Sequence, residues 1–213
     1  HDVYGYETYC TCADGVATKE RVRQEQRHQE HATRMRYVQE LFGKARIPAR
    51  FKSWTLGTYP VTEANRATFE RVCWWGQGPA GDDDADSSAW DAWSKERKDG
   101  LFLFGPYGSG KTGLAVGLLH HRILESQETG LFVTVPTLLD HIRKSYDRKA
   151  ETTETDLLDL VKGIDCLVLD DLGAERMTEW ARERLFVIIN HRHNEQLETI
   201  FTSNLTLEQL GED

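Results

Sequence analysis

The chain has 213 residues and a formal net charge of −9, a length that suits one α/β domain with an appendage. The acidic total argues against a protein that coats duplex DNA through bulk positive charge, although a local basic strip is compatible with it. We expect neither a membrane span nor a signal peptide, because no apolar run is long enough. Four cysteines without a disulfide-framework spacing favour a reducing, cytoplasmic location.

Residues 1–45 are predicted to form a separate N-terminal segment. The stretch 18–45 is polar and rich in good helix formers, and its second half carries an apolar stripe at close to helical spacing. Its first half, from Lys19 to His31, is charged nearly all round. Two interpretations of that half stay open, a solvated arm and a helix that binds a partner.

Two cysteines, Cys10 and Cys12, precede this helix. Two thiolates are half of a tetrahedral Zn²⁺ site, and the other half could come from His1 or from residues before it. Two loop thiols that bind no metal are the alternative. Because the chain begins with His1 instead of Met, we expect the true start of the protein to be missing.

From residue 46 to residue 213, strands and helices alternate in the predicted core. Short apolar runs predict buried strands at 101–104, 131–135, 166–170 and 199–203. Helical patterns lie at 63–75, 111–126, 136–146, 156–161 and 177–193. This alternation predicts an α/β fold with a parallel sheet and helices on both faces. The Gly-, Pro- and Asp-containing stretch 76–99 is predicted to be an exposed insertion.

A glycine-rich loop follows the first predicted strand and matches G-x-x-x-x-G-K-T. It consists of Gly105, Pro106, Tyr107, Gly108, Ser109, Gly110, Lys111 and Thr112, with Gly113 next. Glycines let backbone amides approach phosphate oxygens closely, and the N-terminus of the following helix adds free amides and its dipole. Lys111 would face the β- and γ-phosphates and the Thr112 hydroxyl would ligate Mg²⁺. The loop therefore predicts a site for ATP and Mg²⁺.

Acidic and amide side chains follow two later strands. Asp170 would hold Mg²⁺, directly or through water, and Asp171 would orient the attacking water; a solvated turn is the alternative. Asn204 follows the fourth strand, at the edge of a parallel sheet where ligands bind. Its amide can contact the γ-phosphate or the water, and a simple turn residue is the alternative.

Four motifs in order resemble bacterial replicative-helicase loaders of the DnaC/DnaI type, which are AAA+ ATPases. These motifs are Ile47–Phe51, Gly105–Thr112, Leu169–Glu175 and Phe201–Leu205. The resemblance implies the three-layer AAA+ P-loop fold, with Lys111 and Thr112 in Walker A, Asp170 and Asp171 in Walker B, and Asn204 as sensor 1. Asp171 departs from the family, because related ATPases usually carry Glu at that position. Transposition-helper ATPases of the IstB type are close relatives and remain an alternative.

The resemblance also implies a function. Such a loader binds and hydrolyses ATP, self-associates and helps to place a ring-shaped, hexameric DnaB-type helicase on single-stranded DNA. Because the Asp171 side chain is one methylene shorter than the usual Glu, an alternative stays open: a non-hydrolysing adaptor in which ATP only shapes a binding surface. The family's arginine finger lies in a segment further downstream, so we assign none; we expect the C-terminal end to be incomplete, and the absence of a finger is the alternative. Some loaders carry an N-terminal zinc module, of which Cys10 and Cys12 would be the second half.

The most basic stretch of the core spans residues 141–149 and contains Arg143, Lys144 and Tyr146. Cations can follow a single-strand backbone while an aromatic ring stacks on a base. In the loaders that the chain resembles, the corresponding helix lines the DNA-binding channel. A solvated helix end, with cations near its C-terminus, is the alternative.

Overall fold

The computed structural model describes residues 13–42, 47–78, 100–126, 128–147, 152–174 and 178–212. Two compact units are present, residues 1–37 and residues 38–213. Cys10, Cys12 and most of the predicted insertion, residues 79–99, lie outside the described residues. The predicted zinc site and the predicted domain boundary after residue 45 therefore stay predictions.

Helix α1, Ala13–Phe42, is a single 30-residue helix that begins five residues before the predicted one. Its side chains from Val16 to Gln26 are exposed except for Val22, which is half-buried. This exposure agrees with the charged composition of the first half. Both interpretations of that half, a solvated arm and a partner-binding helix, remain compatible with it.

The core contains a four-stranded parallel sheet, counted over the described residues, in the order β1-β4-β3-β2. The strands are β1 Leu101–Phe104, β2 Gly130–Thr134, β3 Cys166–Leu172 and β4 Glu198–Ser203. The apolar runs predict all four strands, and four of the strand ends differ; β2 and β4 each begin one residue earlier than predicted. Val135 begins a helix instead of ending β2, because the Thr134 hydroxyl accepts the backbone N–H of Thr137 and caps that helix. The third strand continues two residues beyond Asp170.

The helices of the core are α2 Arg66–Gln77, α3 Lys111–Leu124, α4 Val135–Lys144, α5 Glu154–Gly163, α6 Glu179–Asn194 and α7 Leu207–Glu212. Two 3₁₀ turns, Ala49–Phe51 and Leu56–Thr58, precede α2. Helices α5 and α6 also begin at threonine caps, Thr153 and Thr178, whose hydroxyls accept backbone N–H groups. The described helices include none that is both long and apolar enough to cross a membrane.

Alternate residues of β3 face two separate apolar cores. Leu167 and Leu169 pack with side chains of α4, α5 and α6, whereas Cys166 and Val168 pack with side chains of α2, α3 and the 3₁₀ turns. This alternation is what a strand buried on both faces requires. It confirms the predicted three-layer α/β fold.

A buried arginine fixes the start of β4. Arg192, on α6, is fully buried, and its guanidinium donates to the carbonyls of Val161 and Ile164 at 2.9 and 2.6 Å and to the Thr199 hydroxyl at 2.9 Å. One planar cation thus satisfies carbonyls at the end of α5 and a hydroxyl of β4. The position of β4 matters because its other end reaches the candidate site.

Candidate functional site

The glycine loop, the N-terminus of α3 and the ends of β3 and β4 surround a cavity of about 400 Å³. Its walls are formed by Arg50, Phe51, Trp54, Tyr107, Gly108, Gly110, Lys111, Thr112, Gly113, Asp171 and Asn204. Residues from four distant parts of the sequence therefore share one cavity. The structure brings together most of the residues that the sequence singles out; Gly105, Pro106, Ser109 and Asp170 lie just behind the lining, as their contacts show.

Glycine is required at Gly110 for two reasons. Its φ is +91°, in the left-handed region, where it forms the N-cap of α3. A side chain there would also collide with the Tyr59 hydroxyl, just as one at Gly113 would collide with the Trp54 ring. The aromatic residues before α2 thus pack directly against the loop and the first turn of α3.

The Lys111 ammonium lies among oxygen atoms at the centre of the loop. It donates to the carbonyls of Gly105 and Pro106 at 2.8 and 2.9 Å, and to Asn204 Oδ1 at 3.0 Å. Ser109 Oγ accepts a longer bond of 3.4 Å. Burial lowers the pKa of Lys111, while the charges of Asp171 and Asp170 raise it. A phosphate that binds at this ammonium has to take over some of these bonds.

Asp170 is the buried acid of the site, with 4% of its surface exposed. Its Oδ1 accepts hydrogen bonds from the hydroxyls of Thr202 and Thr112 at 2.6 and 3.0 Å. Burial raises the pKa of the Asp170 carboxyl, against the lowering by these two bonds and by the charge of Arg50. The bond to Thr112 ties the third strand to the first turn of α3.

Asp171 has a left-handed backbone, with φ of +58°, which is rare for residues other than glycine. It lies where β3 contains one extra residue relative to β4: Leu169 pairs with Phe201 and Leu172 pairs with Ser203. A bulge of this kind bends a strand and changes the direction of its side chains. Asp171 therefore lines the same cavity as Thr112, the partner of Asp170.

Three residues of the cavity were not predicted as site residues, namely Arg50, Phe51 and Trp54. The Arg50 guanidinium lies 4.5 Å from the centre of the Phe51 ring, and Phe51 meets Trp54 edge to face at 5.2 Å. The sequence offers one signal for the first two, which belong to the motif Ile47–Phe51, and Trp54 follows that motif closely. Thr202 was also not predicted as a site residue, although it belongs to the motif Phe201–Leu205.

The predicted DNA-binding residues lie at the end of α4 and just after it, and two of them, Arg143 and Tyr146, contact Trp180 of α6. The Arg143 guanidinium lies 4.6 Å from the Trp180 ring centre, and Lys144 pairs with Asp140 at 2.6 Å. The Tyr146 hydroxyl donates to Glu154 at 3.0 Å and accepts from the Trp180 indole N–H at 3.3 Å. Half of Tyr146 remains exposed. The three side chains thus have internal partners, and their role in binding DNA stays a prediction.

The family of IstB-like ATP-binding proteins matches residues 88–212, more than half of the chain. This chain belongs to that family. The replicative helicase loader DnaI of Bacillus subtilis is 33% identical over 112 residues, which cover 52% of this chain and 35% of that protein. A putative ATP-binding protein of insertion sequence IS1162 from Pseudomonas fluorescens is 32% identical over 113 residues, which cover 53% of this chain and 46% of that protein. The chain thus matches less than half the length of either relative.

A solved structure of the DnaC helicase loader has the same fold. It aligns with a TM-score of 0.59 and 27% identity, over 77% of this chain and 90% of that one. The AAA+ fold implied by the motifs is therefore confirmed, as is the resemblance to loaders of the DnaC/DnaI type and to the IstB family.

Proposed function

We propose that this protein is an ATP-hydrolysing loader that helps to place a ring-shaped replicative helicase on single-stranded DNA. The observation that carries the proposal is the pair of bonds Lys111–Asn204 and Thr112–Asp170, at 3.0 Å each. They join Lys111 to Asn204, which follows β4, and Thr112 to Asp170 of β3, at one cavity. The likeness to DnaI and DnaC supports the choice of partner.

ATP would bind with its phosphates on the glycine loop. The free amides at the start of α3 and the Lys111 ammonium supply donors and positive charge for phosphate oxygens. Phe51 and Trp54 line the other part of the cavity, where flat apolar rings can pack against the base. Tyr107 also lines the cavity and is exposed over 83% of its surface, so it can contact a ligand there.

Mg²⁺ fits the donor set beside the loop. Thr112 Oγ1 and Asp170 Oδ1 lie 3.0 Å apart, and a hydroxyl and a carboxylate are hard oxygen ligands that this ion accepts together with water and phosphate oxygens. Thr112 and Asp170 would hold the ion, Asp170 directly or through water. When bound, Mg²⁺ neutralises charge on the phosphate oxygens.

Hydrolysis would be directed by Asp171 and Asn204, which both line the cavity. Asp171 would accept a hydrogen bond from a water molecule and orient it toward the γ-phosphorus. The water oxygen forms the new P–O bond, the bond from phosphorus to the β–γ bridging oxygen breaks, and the water proton leaves to a carboxylate or phosphate oxygen. The Asn204 amide would hold the γ-phosphate or the water in line.

The partners follow from the same resemblance. The charged helix α1 offers a surface for the helicase, the end of α4 offers cations and Tyr146 for single-stranded DNA, and self-association would complete the ATPase. A Zn²⁺ ion bound by Cys10, Cys12 and further ligands would belong to the N-terminal segment. A cytoplasmic location agrees with these roles.

The decisive experiment mixes the protein with the purified replicative helicase of its host and with circular single-stranded DNA. We expect ATP-dependent association with the hexamer and a higher yield of helicase on the circle than without the protein. Lys111→Ala is the matched control and should give no increase. Failure to bind the helicase with or without ATP would contradict the proposal.

A second candidate function is that of a transposition helper, favoured by the IstB-like family match and the IS1162 relative. In that case the protein should associate, in the presence of ATP, with the transposase of an insertion sequence from the same host and not with the helicase. A third, a non-hydrolysing adaptor, predicts ATP-dependent association without phosphate release.

A further inference from the structure

Thr202 belongs to the motif Phe201–Leu205, to which the sequence assigns a role only at Asn204, and it contacts both acids of the site. It is completely buried in β4. Its hydroxyl donates to Asp170 Oδ1 at 2.6 Å and accepts the backbone N–H of Asp171 at 3.0 Å. A hydroxyl has one proton and two lone pairs, so one side chain serves one acid as donor and the other as acceptor.

The acceptor bond compensates for the bulge in β3. Between the pairs Leu169–Phe201 and Leu172–Ser203, two residues of β3 face one residue of β4, and that one is Thr202. The extra residue of a bulge loses its regular ladder partner, and a buried N–H without a partner is costly. The Thr202 hydroxyl takes the place of the missing carbonyl for Asp171.

This bond also bears on the strained backbone of Asp171. A left-handed φ of +58° is unfavourable for a residue with a Cβ and persists where its surroundings hold it. Next to Thr202, the Ser203 hydroxyl donates to the Leu172 carbonyl at 2.7 Å. Two successive hydroxyls of β4 therefore hold the bulge from both sides.

From these contacts we infer that Thr202 is a positioning residue for hydrolysis, which fixes the direction of Asp171 through its backbone N–H and the orientation of Asp170 through Oδ1. The expected effect on turnover rests on the proposed function, whereas the contacts by which Thr202 fixes Asp170 and Asp171 do not depend on it. Asn204 lies two residues further along the chain, directly after β4, so the same strand end places three groups of the site. Thr202 does not line the cavity, so its effect on hydrolysis would pass through the two acids that it contacts.

The test compares Thr202→Val, which keeps the shape and removes the hydroxyl, with Thr202→Ser, which keeps the hydroxyl and removes the methyl group. Three quantities are measured in the intact chain: hydrogen exchange of the Asp171 amide by NMR without nucleotide, ATP affinity, and phosphate release. Thr199→Val is the matched control for Thr202→Val. Thr199 is also a buried threonine of β4, but it lies at the opposite end of the strand and its hydroxyl bonds Arg192.

We expect Thr202→Val to speed exchange of the Asp171 amide by about tenfold or more, since its hydrogen bond is lost. Phosphate release should fall by on the order of 10²-fold, the scale of a small misplacement of a catalytic group, with ATP affinity within about threefold of the parent. Thr202→Ser should stay close to the parent in Asp171 exchange, phosphate release and ATP affinity. Thr199→Val should not speed exchange of the Asp171 amide more than that of the neighbouring amides.

Unchanged Asp171 exchange in Thr202→Val would overturn the inference. So would a Thr202→Ser protein as defective as Thr202→Val, because packing of the methyl group would then explain the effect. If Thr202→Val does not fold, the serine variant decides alone: parent-like exchange and turnover support the hydroxyl, and loss of both contradicts it. A parent that releases no phosphate under any condition contradicts the proposed function. The exchange result still tests whether the Thr202 hydroxyl fixes the Asp171 backbone.

Discussion

The Lys111 ammonium and the Asn204 side-chain oxygen are 3.0 Å apart although 93 residues separate them in sequence. This bond connects the glycine loop with the end of β4, and both residues line the cavity. Lys111 also contacts two loop carbonyls. A phosphate that binds the ammonium would compete with Asn204 for it, because Asn204 is one of its present partners. Phosphate binding on the loop would therefore change the hydrogen bonding of the Asn204 side chain.

Asn204→Ala should lower turnover far more than affinity. Removing one positioned polar group at a reacting phosphate typically costs 10²–10³ in rate, so we expect phosphate release about 10²-fold slower. ATP affinity should fall by less than about tenfold, because the loop and Lys111 remain. Asn65→Ala is the matched control, since the Asn65 amide bonds Thr62 and Pro60 outside the cavity. Parent-like turnover of Asn204→Ala would contradict the role of this amide.

Gly110→Ala should destabilise the fold more than Gly108→Ala. Both glycines have left-handed φ values, +91° and +80°, and a side chain in that region costs roughly 1–2 kcal/mol. At Gly108 an added methyl group meets nothing within 4 Å, whereas at Gly110 it meets the Tyr59 hydroxyl. Denaturant unfolding without nucleotide measures the difference.

The same pair provides an internal check on that prediction. Tyr59→Phe removes the hydroxyl and should restore part of the stability lost in Gly110→Ala while leaving Gly108→Ala unaffected. If Gly110→Ala is as stable as Gly108→Ala, the contact between the loop and Tyr59 does not constrain the glycine.

Short apolar runs were enough to predict the four strands, because a parallel strand buried on both faces needs apolar residues at every position. The end of β3 was not predictable in this way. Asp171 and Leu172 belong to the strand only because Thr202 and Ser203 of β4 accept and donate hydrogen bonds there. Those contacts form between segments that are far apart in sequence.

The phosphate side of the candidate site was predictable for a related reason. A strand, a glycine loop and a helix follow each other directly, so the motif contains its own structural context. The wall formed by Phe51 and Trp54 depends instead on packing across α3, where Gly113 leaves space for the Trp54 ring. Sequence order alone does not reveal that contact.

Tyr146→Ala should weaken binding of single-stranded DNA in the presence of a non-hydrolysable ATP analogue. Stacking on one base is worth about 1–3 kcal/mol, so we expect a loss of about tenfold or more in fluorescence anisotropy titrations. Tyr146→Phe keeps the ring and removes the hydroxyl that contacts Glu154 and Trp180; it should bind like the parent. Equal affinity of the alanine variant and the parent would mean that this ring does not stack on DNA.

Cations of the same helix should contribute through phosphate contacts. Arg143→Ala and Lys144→Ala should each reduce the slope of affinity against salt concentration, because fewer counterions are released on binding. Lys162→Ala, on α5, is the control and should leave the slope unchanged. Slopes identical to the parent in both α4 variants would indicate that the end of α4 is an ordinary solvated surface.

Cys10 and Cys12 predict a bound metal ion in protein with its natural N-terminus. Elemental analysis should find about one zinc per chain, as closed cysteine-rich sites contain. The double variant Cys10→Ser/Cys12→Ser should lose it, whereas Cys73→Ser, which changes a half-buried thiol in the core, should not. Near-zero zinc in the parent would rule out the site.

The most direct test of the central claim is paired measurement of ATP binding and phosphate release, with helicase and single-stranded DNA present. The parent should bind and hydrolyse ATP. Lys111→Ala should lose measurable binding, because the charge that faces the phosphates is gone. Asp171→Asn should bind ATP nearly as the parent does and release no phosphate, because an amide cannot accept the water proton. Parent-like hydrolysis by Asp171→Asn, or parent-like ATP binding by Lys111→Ala, would contradict the account.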